Sequence, residues 1–526
     1  MWLRKSHQGL KPMRITRQFS GISSATLNQM MRSSGGLTHL RHLFDEFPTS
    51  RNLVSWNILI AGYVRHGCIP TALHLFDEMR HRDIVTWNTL FSAFQNKQDY
   101  HSTFQYYRLL QSSGFRPNHY TFSIVITSFL VSSVDIILPQ IHAQIVSLGY
   151  SSNAFVGSAL IRGYTKLGDH SALCCVFRDI LEKSVPVWNA FILGLMDLGL
   201  TLEAHRAFNR MPRRNVVSWT ILIDGFLKND QFQKARYIFD KMDEKNIISW
   251  TAMISGYVRL GKYFNALELF PVMIRSGTRP NQHTFSSILA ACAKHSELLI
   301  GEQLHTSILK YGITDEIVVL TALVGMYAKC GNIDAAHRIF KTLPEKTLPS
   351  WNTIIGGFAM HGLARRAVNA FEEMTSGGIR PDQTTFVHVL SACGHGGEVL
   401  EGERIFVSME KTYGIPAEKE HYACMVDLYG RAGLLDKALS FIKGMPLQAD
   451  VVVWGALLGS CAVHSDSEFS SNAVEAVLKL ENDNPAVYSL LSKIYGEKGV
   501  WSSVTYLKNK MKENNIKIHK AGSWIG

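Results

Sequence analysis

Between Val216 and Asn246 the apolar residues fall at Trp219, Leu222, Ile223 and Phe226, and again at Ala235, Ile238, Phe239 and Met242. Both sets follow the spacing of one helical face, so this stretch predicts two short amphipathic helices. Polar Lys228, Asn229 and Asp230 separate them, and at the equivalent place sister stretches carry Gly67, Gly168, Gly261, Gly331 and Gly362. Glycine there permits the left-handed backbone that ends a helix.

The same pattern returns along the chain. Val216-Val-Ser-Trp-Thr220 recurs as Ile247-Ile-Ser-Trp-Thr251, an offset of 31 residues, and matches Leu53–Asn57, Ile84–Asn88, Val185–Asn189 and Leu348–Asn352. Longer units open with a Thr-Phe pair, as in His119–Ser123, Gln282–Ser286 and Gln383–Val387, and end in tails such as Arg275–Asn281, where Pro280 stops the second helix. Tiling on these anchors gives 13 contiguous units, at 22–52, 53–83, 84–118, 119–153, 154–184, 185–215, 216–246, 247–281, 282–316, 317–347, 348–382, 383–418 and 419–450. One helix pair cannot bury its own apolar stripe, so neighbours must stack, and the predicted fold is an all-α solenoid with a long concave groove. Such a fold offers no single concave active site, which argues against an enzyme.

Composition refines this picture at the ends. Of the 526 residues 46% are hydrophobic and 18% charged, and no apolar run is both long enough and free enough of charge to cross a bilayer. Five of the charges behind the net +11 are Arg4, Lys5, Lys11, Arg14 and Arg17, with no acid before Asp45, which leaves +6 on the rest. A start rich in Arg and Ser reads as an organelle transit peptide over 1–21, the alternative being a disordered basic tail. Arg17-Gln-Phe-Ser20 resembles a mitochondrial processing site, which favours the mitochondrion over the chloroplast. The moderately basic body suits a polyanionic partner without identifying it. Eight cysteines show no CxxC spacing and sit mostly in apolar helical segments, as expected of small buried hydrophobes in a reducing compartment.

The Trp-Asn/Thr openings, Ala61-Gly-Tyr63, Leu75-Phe-Asp-Glu-Met79 and the Gly-x-x-Pro-Asn/Asp tails together resemble pentatricopeptide repeats. The mix of 35- and 31-residue units is similar to the plant PLS subclass, with 247–281, 282–316 and 317–347 as P, L and S; two further short units at 185–215 and 216–246 depart from strict alternation. After 450, Val451–Cys461, Asn484–Tyr488, Leu491–Tyr495, Trp501 and Lys520–Ile525 resemble the helical E extension that follows such arrays, placed at 451–526. The resemblance implies an organellar protein that binds single-stranded RNA by sequence, usually to select a cytidine for conversion to uridine. Intron splicing, processing or transcript stabilisation are alternative outputs, and a protein-binding scaffold of the tetratricopeptide kind is a further one.

No catalyst is expected in the chain itself. A zinc deaminase needs His-x-Glu and a later Pro-Cys-x-x-Cys. His295-Ser-Glu297 has no such sequel and lies between two helices, so neither a metal nor a cofactor is expected. Family members that edit unaided carry a further deaminase domain, so the resemblance implies a separate deaminase-bearing protein and editing accessory factors docking at 451–526.

Sequence-specific recognition of RNA mostly targets unpaired bases. By resemblance, each base meets the fifth residue of a unit and its last. Thr26 with Asn52 then implies A; Asn57 with Asp83, U; Asn88 with Asn118, a pyrimidine; Asn189 with Asn215, a pyrimidine. Thr220 with Asn246 and Thr251 with Asn281 imply A, and Asn352 with Asp382 implies U. Ser158 with Ser184 and Thr321 with Thr347 are polar pairs with no base assigned; Ser123 with Asn153 speaks weakly. Ser286 with Glu316, Val387 with Glu418 and Ala423 with Asp450 are likewise unassigned. An amide donates and accepts, a hydroxyl can do either and a carboxylate only accepts, so combinations can distinguish bases. The competing reading is that Asn, Thr and Asp merely cap helix starts.

Overall fold

The first helix of a repeat opens on a reciprocal cap. The Asp83 carboxylate accepts from the Thr86 N–H at 2.8 Å while the Asp83 N–H donates to the Thr86 hydroxyl at 3.3 Å, so two of the orphan donors of a helix start are satisfied. The same box is present at Asn52, Asn118, Asn215, Asn246, Asn281 and Asp382. Most first helices then end at a left-handed residue, as at Gly67, Gly168, Gly261, Gly331 and Gly362 and, where glycine is missing, at Gln98, Asp230 and Ser296; the opening helix Ser24–Arg32 ends instead at Ser33 in right-handed backbone.

The computed structural model describes residues 22–130 and 137–464 with a few isolated positions beyond. The expected transit peptide lies outside the described residues. So does most of the expected extension, and the helix Val451–His464 is the part of it that is described. Among the described residues all regular structure is helical. The chain forms two compact bodies, Met1–Asp243 and Glu244–Gly526. In the N-terminal body the first helices are Ser24–Arg32, Leu53–Arg65, Ile84–Asn96, His119–Phe129, Ala154–Leu167, Val185–Asp197 and Val216–Lys228. In the C-terminal body they are Ile247–Arg259, Gln282–His295, Ile317–Lys329, Leu348–Met360, Gln383–Gly396, Lys419–Arg431 and Val451–His464. Within each body a first helix packs on the first helix of the next repeat, and each second helix packs on its own first helix and the following one. The fold is an all-α solenoid. Its opening helix begins at Ser24, two residues later than the tiling from 22 predicts.

An aromatic contact fixes the step between repeats. Phe44, Phe76, Phe177 and Phe208 each set their ring edge-on to the Trp of the next repeat, Trp56, Trp87, Trp188 and Trp219, at 4.8 Å between centroids. In the C-terminal body Phe340 meets Trp351 at 4.7 Å in the same way. Arg51, Arg82 and Arg214 lie over the Phe44, Phe76 and Phe208 rings and donate to the carbonyl of that same residue, closing the second helix. Cys292, Cys393 and Cys461 are buried, Cys68, Cys174, Cys330 and Cys424 half-buried and Cys175 exposed. Burial pushes the Cys292 and Cys393 thiols up to about 12, so they are inert core groups.

Candidate functional site

Where one repeat meets the next, three polar side chains from two helix starts converge. Asn57 Nδ2 donates to Asp83 Oδ1 at 3.1 Å, and the Thr86 hydroxyl lies 2.7 Å from both Asn57 Oδ1 and Asp83 Oδ1. Burial acts to raise the Asp83 carboxyl, but hydrogen bonds from the Thr86 side chain and backbone and from Asn57 outweigh it and hold it below the usual carboxylate range. Asp83 is therefore an anion that only accepts.

The cluster recurs. Asn352 donates to Asp382 at 3.0 Å with the Thr385 hydroxyl 2.7 Å from Asn352 Oδ1, and Asp382 is again lowered by Thr385 and Asn352 against the effect of burial. Asn88 donates to Asn118 at 3.2 Å, with the Thr121 hydroxyl 2.8 Å from Asn88 Oδ1.

In the first repeat the helix start sets different side chains at the seam than the tiling does. Thr26 accepts no partner from Asn52; it sits third in its helix, its N–H donating to Ser23 at 3.2 Å. The residue that donates to Asn52 is Asn28, at 3.3 Å, and the Ser55 hydroxyl lies 2.6 Å from Asn28 Oδ1. Because the helix starts at Ser24, Asn28 holds the fifth place and Thr26 the capping place.

The other pairs differ. The Thr251 hydroxyl shares a 2.8 Å hydrogen bond with Thr284, which donates to Asn281 at 2.9 Å. Asn189 is only 8% exposed and its Oδ1 has no partner, while Ser218 turns to Asn215. Thr220 donates back to the Val216 carbonyl at 2.8 Å in the N-terminal body; Asn246 caps the helix Ile247–Arg259 in the C-terminal one. Ser158 bonds to the Ala154 carbonyl, and neither Ser184 nor Thr347 caps through its side chain.

Within the C-terminal body the first helices enclose a groove of about 730 Å³ whose wall carries Ser286, Thr321, Asn352 and Asp382. Lys329 and His388 line it too, and burial holds the His388 imidazole below its ordinary pKa. The sequence reading passed over the second residue of each repeat, where Val54, Val85, Tyr120, Phe155, Val217, Ile248 and Val318 keep 39% to 66% of their surface exposed. The signal was available, since these residues lie off the apolar stripe of their helices. Such a side chain, three places from the polar fifth residue, leaves a flat apolar surface beside it on the same helix face.

His295 and Glu297 form an exposed contact at 3.2 Å at the end of a helix, and among the described residues no group of three His, Cys, Asp or Glu could hold a metal. No helix among them is long and apolar enough to cross a membrane.

Comparison with known proteins gives this geometry its family. A family model described as PPR repeat family matches 82–130, 245–294 and 346–395, and one described as PPR repeat matches 54–84, 186–216, 217–247, 318–348 and 420–447. Two pentatricopeptide repeat-containing proteins of Arabidopsis thaliana are 38% and 36% identical, the matches covering 85% and 96% of this chain and 81% and 69% of theirs. The chain belongs to the pentatricopeptide repeat family. Its C-terminal residues 464–526 match the E motif, so the match begins where the helix Val451–His464 ends. A mitochondrial pentatricopeptide repeat-containing protein of Arabidopsis thaliana is 32% identical over 89% of the chain, and this chain spans 63% to 65% of the length of three such relatives. The crystal structure of the pentatricopeptide repeat protein PPR10 from maize superposes with a TM-score of 0.55 at 19% identity, covering 94% of this chain and 74% of that one, a likeness of fold. Set on pentatricopeptide repeats, the Asn–Asp–Thr clusters occupy the seams between consecutive repeats.

Proposed function

We propose that this pentatricopeptide repeat protein binds one stretch of single-stranded RNA in an organelle, one repeat to one base, and selects a cytidine for conversion to uridine by a deaminase supplied in trans. The observation that carries the reading is which polar atoms the Asn–Asp and Asn–Asn seams leave able to bond outward. At Asp83 and Asp382, Oδ1 is taken up by the Asn amide and the Thr N–H. Oδ2 remains as an acceptor, the complement of the N3–H of uracil. Asn118 and Asn52 spend their Oδ1 in the same way, leaving an Nδ2–H donor that complements the N3 acceptor of cytosine. The first repeat, read through Asn28 with Asn52, thus takes a pyrimidine where Thr26 implied A. Thr251 with Asn281 keeps its reading as A, and for Thr220 with Asn246 that reading rests on the sequence alone.

The E motif at 464–526 favours editing as the output, with residues 451–526 as the surface on which the deaminase-bearing partner and accessory factors dock. The basic, acid-poor start favours import into the mitochondrion. Selection of bound molecules from a randomised single-stranded RNA pool tests the recognition: U should dominate the columns for 53–83 and 348–382 and A those for 216–246 and 247–281. Equal recovery of all four bases in those columns would remove the reading. Organellar transcripts from a plant lacking the protein should lose conversion at one or a few cytidines, whereas full conversion everywhere would redirect the output to splicing or stabilisation.

A further inference from the structure

We propose that the third-place hydroxyl of a repeat, where it reaches Oδ1 of the fifth-place Asn of the repeat before it, is a positioning residue for that base reader. The inference rests on the one-repeat, one-base reading above. Ser55, Thr86, Thr121 and Thr385 are fully buried, and their hydroxyl oxygens lie 2.6, 2.7, 2.8 and 2.7 Å from Oδ1 of Asn28, Asn57, Asn88 and Asn352. Those four residues do more than close their own helix starts.

A hydroxyl has one proton to give, and two acceptors compete for the proton of Thr86. Asp83 Oδ1 already receives the Thr86 N–H and the Asn57 amide, whereas Asn57 Oδ1 has the hydroxyl as its partner. The Asp83 N–H donates to the same hydroxyl, so its oxygen is pinned at the helix start while lying 2.7 Å from both acceptors. The one proton is shared between Asp83 and Asn57, and Thr86 is the group that holds Asn57 Oδ1 in place. With Oδ1 held by Thr86 and one Nδ2–H held by Asp83, the amide cannot turn over, and its remaining N–H is the group presented to the base.

The chain's own variation follows this rule. Each Asn at a fifth place, at 28, 57, 88, 189 and 352, is followed in the next repeat by Ser55, Thr86, Thr121, Ser218 or Thr385. Where the third place is Val156, Val187, Val319 or Val453, the preceding fifth residue is Ser123, Ser158, Ser286 or Ala423 and never Asn. Helix capping alone gives no reason for the third place of one repeat to track the fifth place of another.

The test uses the full chain and the randomised RNA pool. Thr86→Val removes the hydroxyl at nearly constant volume and should lower the preference for U in the column of repeat 53–83 by about tenfold, the worth of a good base contact, leaving the other columns unchanged. Thr86→Ser should restore it, and Thr121→Val should act on the column of 84–118 alone. Ser350→Ala is the control: that hydroxyl bonds to the Thr347 carbonyl, so its loss should leave every column as it was. If Thr86→Val weakens all RNAs alike with the 53–83 column intact, the hydroxyl only caps and the proposal falls; the Thr86→Ala variant, read the same way, covers the case in which valine disturbs folding. Asp83→Asn separates this failure from that of the underlying reading. A shift of the column from U to C in Asp83→Asn beside an unmoved Thr86→Val overturns the positioning role alone, and two unmoved columns overturn both.

Discussion

Asp83 and Asn118 differ by one outward atom, and the pH dependence of the two repeats should differ with it. The Asp83 carboxyl is held below its ordinary value because hydrogen bonds to the charged form outweigh burial. A group depressed in the folded state contributes above its unfolded pKa and loses that contribution as pH falls through the folded one. Preference for U over C at Asn57–Asp83 and Asn352–Asp382 should therefore stay flat from about pH 8 to pH 5. Fluorescence anisotropy with synthetic RNAs differing at those two bases measures it; a midpoint inside that window would mean that the carboxylate is not held as described. A second comparison needs no mutation. Asn189 Oδ1 is unpartnered and Ser218 faces Asn215, so the 185–215 column should be less sharply selected than the 84–118 column although both repeats carry Asn with Asn. The places of most of these seam residues were legible from the repeat phase, because Asn57 and Asp83 keep their positions relative to Trp56 and Trp87. Thr26 falls at the third place of its helix and not the fifth because that helix starts late in the first repeat. Ser23 as its cap and the apolar pair Leu27 and Met31, both buried, mark a helix two residues later than counting back by a full period suggests.

Helix pairs were readable from apolar spacing, but the reason for the glycine of the Gly-Tyr motif was not, since it depends on a neighbour one repeat away. An added Cβ at Gly225 would fall on the Met196 side chain, within 2.8 Å of its Cβ and Sδ. Those atoms sit near the backbone of the preceding first helix and cannot swing clear. Gly225→Ala should cost about 1–3 kcal/mol through overpacking even though alanine is the better helix former. Thermal denaturation followed by circular dichroism reads this directly, and an unchanged or raised Tm would show that the first helices can separate at little cost. The arginines that close the second helices were equally hidden: Arg82 is one basic residue among many until its guanidinium is seen over Phe76 and bonded to the carbonyls of Phe76 and Asp77.

At the scale of the whole molecule the repeats interact mainly with their neighbours, so the order of bases is written by the order of seams and an internal repeat can be removed. Excision of 53–83 would join Asn52 directly to Ile84. Phe44, which now meets Trp56 at 4.8 Å and 76°, would then face Trp87, the partner that Phe76 holds at the same distance and angle. Asn28 and Asn52 would find the Thr86 hydroxyl in the place of Ser55, so the first seam would keep both its step and its positioning group. The excised protein should therefore fold, and the RNA recovered from a randomised pool should be one nucleotide shorter in its selected stretch, lacking the U column while the first pyrimidine and the later A columns stand in their former order. A selected stretch of unchanged length would contradict one repeat to one base. A folded protein that selects nothing would mean instead that recognition depends on the exact phase between distant repeats, which nearest-neighbour stacking does not allow.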